Sequence, residues 1–344
     1  MLKKIVIRVC VLFLILTGLN FIYTISFYKT DLKEKSPELI QIRETEGKTD
    51  VYYFGESSNV SYKKGDSIIE SISEITSLFF PTLKFTNVNK YATHAGVYKQ
   101  WIKQFKKLPK AVIVTLNLRS FDAAWIHSKL ETQLSESLVF SYPYPNLVNR
   151  FLLALGNFDN QSDKQREEAT LRDWKTIQLQ FPFPFKYKTT SEWDAGMAAG
   201  SYLKPDGSWD TEKIVLACHY VKGYAFNMSE TNPRIEDFDQ IVQWCTEKKV
   251  RLYLNLMAEN INYADSLVGK ELVFLMKQNR DYLVKRYTKG NCVVVDNLEL
   301  VNGNEFIDQN WTTEHYDYKG RMKIAKNLAT QLKKQFEKDY KSAY

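Results

Sequence analysis

The alternation of short apolar segments with helical patterns is the feature that most constrains the fold of this chain. Residues 51–54, 83–88 and 111–116 are short runs rich in apolar side chains, which predict buried strands. Between them, residues 67–80 and 97–108 carry apolar side chains at helical spacing. This order of strand and helix predicts an α/β fold, with a doubly wound parallel sheet.

The alternation stops after the third predicted strand. Residues 120–235 contain helical patterns, an aromatic and proline-rich stretch and turn sequences. Strand and helix then alternate again, through predicted helices at 235–248, 270–287 and 318–336 and predicted strands at 250–257 and 292–296. A long stretch of this kind usually forms a cap or a specificity subdomain. We therefore assign residues 50–338 to one α/β domain with an insertion at about 120–235.

The N-terminus carries the pattern of a membrane anchor. Lys3, Lys4 and Arg8 precede an uncharged run at 9–28. A helix of about twenty residues rises about 30 Å, which is the thickness of the hydrocarbon core of a bilayer. Basic residues flanking such a helix favour the cytoplasmic side. Residues 1–8 are therefore predicted to be a cytoplasmic tail, and the folded domain to be extracytoplasmic.

A cleaved signal peptide is the alternative interpretation of the same run. Its apolar segment would be shorter, and small residues would mark the cleavage site. Residues 24–26, Thr-Ile-Ser, match such a site poorly, which favours an uncleaved single-pass anchor. Residues 29–49 are polar and charged, so they predict a stalk between the membrane and the domain.

The net charge and the spacing of the histidines and cysteines indicate which partners and ligands to expect. The net charge of +7 fits a surface near anionic lipid or an acidic polymer and is not a nucleic-acid signature. The histidines are far apart and form no HxH or HxxxH spacing: His94, His127, His219 and His315. The cysteines outside the N-terminal run form no CxxC pair. We expect no metal and no cofactor.

Polar or small residues follow the predicted strands or precede the predicted helices. Ser57 follows the first strand and the turn at Gly55, so it is held out into the crevice at the end of the sheet. Gly96 lies in the loop after the second strand, and Asn117 ends the third. Both could donate an N–H to an oxyanion in that crevice. His315, before the last helix, could take the serine proton.

These residues occur in the order that names the SGNH (GDSL-type) hydrolase superfamily: Ser57, Gly96, Asn117 and His315. The sequence resembles that superfamily over most of residues 50–336, with Glu56 in place of the usual aspartate. The resemblance implies a flavodoxin-like sheet, a serine nucleophile with a histidine base, and an oxyanion hole. That hole would combine the backbone N–H groups of the serine and the glycine with the asparagine side chain.

The anchor, the insertion and the sequence around the histidine are more similar to the envelope branch of the superfamily. That branch includes the DltD-type proteins of teichoic-acid D-alanylation and the alginate O-acetylation proteins. The resemblance implies transfer or hydrolysis of an O-acetyl or D-alanyl ester on an envelope polysaccharide or teichoic-acid-like polymer. It leaves transferase and hydrolase open, and it implies an acyl-exporting membrane protein as a partner.

The acid that would complete a triad with Ser57 and His315 is not at the usual spacing in this sequence. The superfamily usually has an acid three residues before the histidine, where this chain has Thr312. Asp308 is the favoured candidate, because Glu314 is adjacent to His315 and Asp317 fits a helix N-cap. A Ser–His dyad without an acid is one alternative. The other is a catalytically silent protein that binds an envelope polymer or a membrane partner.

Overall fold

A computed structural model describes residues 1–200 and 202–342, with side chains described as far as residue 334. In this part of the chain five strands form one sheet: β1 Val51–Gly55, β2 Phe85–Asn89, β3 Ala111–Leu116, β4 Arg251–Leu256 and β5 Cys292–Asp296. All neighbouring strands are parallel, in the order β2-β1-β3-β4-β5. The predicted α/β class with a parallel sheet is confirmed. The strand order reverses between β1 and β3, which is the topological switch point of such sheets.

The helices surround the sheet and extend to the N-terminus. They are α1 Leu2–Ser26, α2 Tyr28–Lys35, α3 Pro37–Thr45, α4 Ser57–Val60, α5 Ile72–Ser77, α6 Ala95–Ile102, α7 Ala123–Ile126, α8 Leu130–Leu138, α9 Asn146–Leu155, α10 Asp163–Thr176, α11 Thr190–Ala198, α12 Thr211–Tyr224, α13 Pro233–Glu247, α14 Ile261–Leu267, α15 Lys270–Tyr287 and α16 Tyr318–Ser342. Several bounds agree with the apolar patterns of the sequence, including those of β3, β5 and α15.

Both faces of the central strands are covered. Successive side chains of a strand point to opposite faces. Tyr52 and Phe54 of β1 pack in a core cluster with Trp101 of α6, while Val51 and Tyr53 pack in a second cluster that includes residues of α16. Strands that are buried on both faces consist mostly of apolar residues. For this reason the apolar run at 111–116 predicted the bounds of β3.

The helix predicted at 67–80 is shorter in the structure. It begins only after Ser71, whose side chain accepts a hydrogen bond from Glu74 N. The fully buried Arg321 of α16 donates to the carbonyl oxygens of Ser61, Ile68 and Glu70. Those carbonyl groups are held by the guanidinium instead of by helical N–H groups.

The segment 29–49, predicted as a stalk, is largely helical and packs onto the domain. Leu32 of α2 and Leu39 of α3 form a buried cluster with Phe140, and Ile42 joins the main core. Residues between β3 and β4 also contribute to that core, through α12 and α13. The intervening helices are therefore packed on the sheet.

Helix α1 is long enough and apolar enough to cross a membrane. It has 25 residues and its mean hydropathy reaches 2.5. Most of its apolar side chains point away from the domain. The structure thus confirms an apolar N-terminal helix.

Candidate active site

Ser57 stands where a central parallel strand ends. β1 ends at Gly55, and a Cβ there would clash with the Asn89 side-chain oxygen, so a larger residue would disturb the hydrogen bond from Asn59 to that oxygen. The chain passes through Glu56 and begins the short helix α4 at Ser57. This is the crevice at the carboxyl ends of the strands in which α/β sheets bind their ligands.

A hydrogen-bonded chain joins Ser57 to two residues near the C-terminus. His315 Nε2 lies 3.0 Å from Ser57 Oγ, and His315 Nδ1 lies 2.6 Å from Asp308 Oδ2. Ser57, His315 and Asp308 are each partly exposed, so the site can be reached from solvent. A nucleophile bonded to a base that an acid orients is the arrangement of catalytic triads.

The local backbone explains how Asp308 reaches the ring. Phe306 and Tyr316 form an antiparallel bridge, and Ile307 N donates to the carbonyl oxygen of His315 at 2.9 Å. The intervening residues therefore form a closed loop whose two ends lie side by side. Thr313 also donates from its hydroxyl to Asp308 Oδ2, at 2.8 Å.

The other acids near the histidine have different partners. Asp317 accepts hydrogen bonds from the N–H groups of Lys319 and Gly320 at the start of α16. Glu314 forms a two-pronged ion pair with Arg119, at 3.0 and 2.9 Å. In the described structure, Asp308 is the carboxyl group bonded to His315.

The two predicted oxyanion donors differ in what they contact. Asn117 Nδ2 donates to Glu56 Oε1 at 2.9 Å, beside Ser57 in the chain. The Gly96 N–H instead donates to His94 Nδ1 at 3.0 Å, in the first turn of α6. A role for Gly96 at the oxyanion therefore requires that bond to His94 to break.

Behind the Ser–His pair lies a buried cluster of three carboxyl groups and one arginine. Glu314 shares the cluster with Glu56 and Glu259, and Tyr224 donates its hydroxyl to Glu259 at 2.5 Å. Burial, followed by the nearby charge of Glu314, raises the pKa of Glu56 to about 7 and also raises the pKa of Glu259. One guanidinium, that of Arg119, cannot neutralise three carboxylates, so Glu56 and Glu259 hold a proton more readily than carboxyl groups in water do.

Sequence reasoning missed the cluster residues Arg119, Tyr224 and Glu259. The available signal was Arg119, a charged residue only two positions after Asn117 at the end of a fully buried strand. Its partner Glu314 lies 195 positions away along the chain. A charged pair at that separation has no local pattern.

A cavity opens beside the loop that carries Asp308 and His315. It has a volume of about 500 Å³ and is lined by Trp311, His219 and Tyr263 together with charged and polar side chains of α12. The rings of Trp311 and His219 are in contact, with centroids 3.9 Å apart. Within residues 1–200 and 202–334, no group of three or more His, Cys, Asp or Glu side chains is arranged to hold a metal ion.

Comparison with known proteins gives no family for this chain. Its sequence matches no model of a protein family, and it matches no characterised protein. The geometry of the site is therefore the basis for inferring what the chain does.

Proposed function

We propose that this protein is a membrane-anchored serine esterase or O-acyltransferase of the SGNH type. The observation that carries the proposal is the chain of hydrogen bonds from Asp308 through His315 to Ser57. A serine hydroxyl is a weak nucleophile until an adjacent base accepts its proton. The same three groups, in the same order of contact, perform acyl transfer on several unrelated folds.

The proposed reaction follows from these contacts. Ser57 Oγ attacks the carbonyl carbon of an ester while His315 Nε2 takes the hydroxyl proton, and Asp308 stabilises the resulting imidazolium. The C–O bond to the leaving alcohol then breaks, and His315 returns the proton to that alcohol oxygen. The acyl group remains on Ser57 until water or an acceptor hydroxyl, deprotonated by His315, attacks it and restores the serine.

Charge develops on the carbonyl oxygen during both attacks and requires N–H donors. An amide NH₂ group has two hydrogens, and the bond to Glu56 uses one of those on Asn117, so the other remains for the oxyanion. The backbone N–H of Ser57 is the second proposed donor. The backbone N–H of Gly96 is the third proposed donor, and it becomes available when its hydrogen bond to His94 Nδ1 breaks.

The proposed substrate is an O-acetyl or D-alanyl ester on an envelope polysaccharide or a teichoic-acid-like polymer. The apolar helix α1 after a basic tail supports a single-pass anchor with the domain outside the cytoplasm. The cavity beside Trp311 supports a polymer acceptor, because it combines exposed aromatic faces with polar side chains. An acyl-exporting membrane protein is the proposed partner, and residues 120–235 the proposed insertion in the SGNH-type domain.

A catalytically silent accessory protein is the second candidate. The engagement of the Gly96 N–H by His94 favours it, because the proposed oxyanion hole then has one donor fewer. Such a protein would bind the same polymer or a membrane partner through the same crevice.

A fluorophosphonate probe, which reacts with activated serines, tests the enzyme proposal. The full-length protein should be labelled, and Ser57→Ala and His315→Ala should each abolish the labelling. Ser58→Ala is the matched control, because this neighbouring serine is buried and contacts Glu56 instead of the histidine. Absence of labelling in folded protein, or labelling that persists in Ser57→Ala, would contradict the proposal.

A further inference from the structure

Helix α9 packs on the end of α1 through polar contacts. The side-chain oxygen of Asn20 accepts a hydrogen bond from Leu147 N at 2.9 Å. Asn146 Nδ2 donates to Thr24 Oγ1 at 3.1 Å. On the same side, Leu153 packs against the buried cluster formed by α2, α3 and Phe140. One side of α9 is thus fixed to the last turns of the apolar helix.

The opposite side of α9 is an exposed apolar stripe. Tyr144 lies just before the helix, and Val148, Phe151 and Leu155 follow on α9 at intervals of three and four residues, the spacing of one helix face. They are 52%, 39%, 48% and 75% exposed, respectively. Helix α9 contains no acidic residue. A continuous exposed stripe of large apolar side chains marks a surface that contacts lipid or protein.

The position of α9 along α1 indicates whether lipid or protein contacts the stripe. The uncharged run at 9–28 is about 30 Å long when helical. Helix α1 ends at Ser26, so at about 1.5 Å per residue Asn20 and Thr24 lie about 9 and 3 Å before its end. Interfacial helices lie about 5–10 Å into the boundary between head groups and acyl chains. A helix bonded to these two residues is therefore at the depth of that boundary.

We propose that α9 is a second membrane contact, lying in the interface of the bilayer that α1 crosses. The Tyr144–Leu155 stripe faces the acyl chains, and the tyrosine ring lies at the head-group level, where aromatic residues are enriched. The bilayer is the chosen occupant because α9 is hydrogen-bonded to the last turns of α1, where Phe21, Ile22 and Ile25 of the apolar helix are themselves exposed. This inference rests on the proposed anchoring by α1, and it fixes the domain directly on the membrane surface.

The test uses full-length protein in phosphatidylcholine vesicles, with a fluorescent NBD label on a single introduced cysteine. Cys10→Ser removes the exposed native cysteine, while the other three native cysteines are buried. Labels are placed by Phe151→Cys, by Leu155→Cys, and by Glu168→Cys on the polar helix α10 as the control. Ile15→Cys reports on α1 itself.

Nitroxide-bearing lipids should quench the labels at 151 and 155 several-fold more than the label at 168, and aqueous iodide should show the reverse order. Two positions are used so that one poorly folded variant does not decide the result. If iodide quenches the labels at 151 and 155 as strongly as the label at 168, this inference is overturned. If lipid still quenches the label at 15 in the same experiment, the anchoring by α1 stands. Lipid quenching at none of the four positions overturns both. Protection at 151 and 155 from both quenchers means that protein covers the stripe, which also overturns it.

Discussion

Asp308 Oδ2 lies 2.6 Å from His315 Nδ1, although the two residues are seven positions apart. The bridge between Phe306 and Tyr316 brings the ends of the loop together and makes the contact possible. A three-residue offset is therefore not needed to orient the ring. Thr312, at that offset, instead accepts a hydrogen bond from Arg119 at 3.3 Å.

Asp308→Asn tests this contact. The amide can hold the imidazole in the wrong tautomer and cannot stabilise the imidazolium, so turnover should fall by about four orders of magnitude while the fold remains. Asp317→Asn is the matched control, because this residue caps α16 and does not contact the ring. Hydrolysis of an aryl acetate measures both variants. Full activity in Asp308→Asn would remove this residue from the site and favour a Ser–His dyad.

The pair between Arg119 and Glu314 should position the histidine loop. Arg119→Lys keeps the charge but loses the two-pronged geometry, so we expect lower kcat with little change in KM. Arg166→Lys is the control, because Arg166 of α10 forms a buried ion pair with Asp159 and has no hydrogen bond to the loop at residues 306–316. It should lower the melting temperature without lowering kcat. Equal kcat losses in the two variants would mean that the effect is general destabilisation.

The buried Glu56 should make stability depend on pH. Burial raises its pKa to about 7 from an ordinary 4.5, so the folded state retains a proton that the unfolded state releases between these values. Stability should therefore fall as pH rises from 5 to 8, by no more than about 3 kcal/mol. Glu56→Gln is neutral throughout and can still accept from Asn117.

The difference in melting temperature between Glu56→Gln and the unmodified protein should grow from pH 5 to pH 8. Glu305→Gln is the control. Burial alone would raise the pKa of Glu305, but its bonds to Lys323 and Asn302 lower it, so Glu305 is ionised in both states over this range. Its difference from the unmodified protein should stay constant. Parallel curves for Glu56→Gln would contradict the raised pKa.

The sequence patterns were most informative where burial alone determines the element. β3 is buried on both faces and its apolar run has the bounds of the strand. The helix predicted at 67–80 begins later in the structure. Arg321 donates hydrogen bonds to carbonyl oxygens of this region, in residues that lie 251 to 260 positions before it in the chain. No local pattern carries a contact of that range.

The site was predictable to the extent that chain order and strand ends locate it. The hydrogen bond between Ser57 and His315 joins two residues chosen from their places after a strand and before a helix. The bond from Gly96 to His94 was not foreseen, because it depends on a side-chain rotamer. The carboxyl cluster around Arg119 depends on contacts between distant segments, as does the helical packing of residues 29–49.

The proposed reaction passes through an acyl-enzyme on Ser57, which mass spectrometry can detect. Full-length protein is mixed with an aryl acetate, quenched in acid within the first turnovers and digested for mass spectrometry. We expect an acetyl group on the peptide that contains Ser57, and no such group in His315→Ala or in Ser57→Ala. Hydrolysis of the ester by folded protein with no acetyl group on Ser57 in the first turnover, or with the group on another residue, would contradict the proposed reaction.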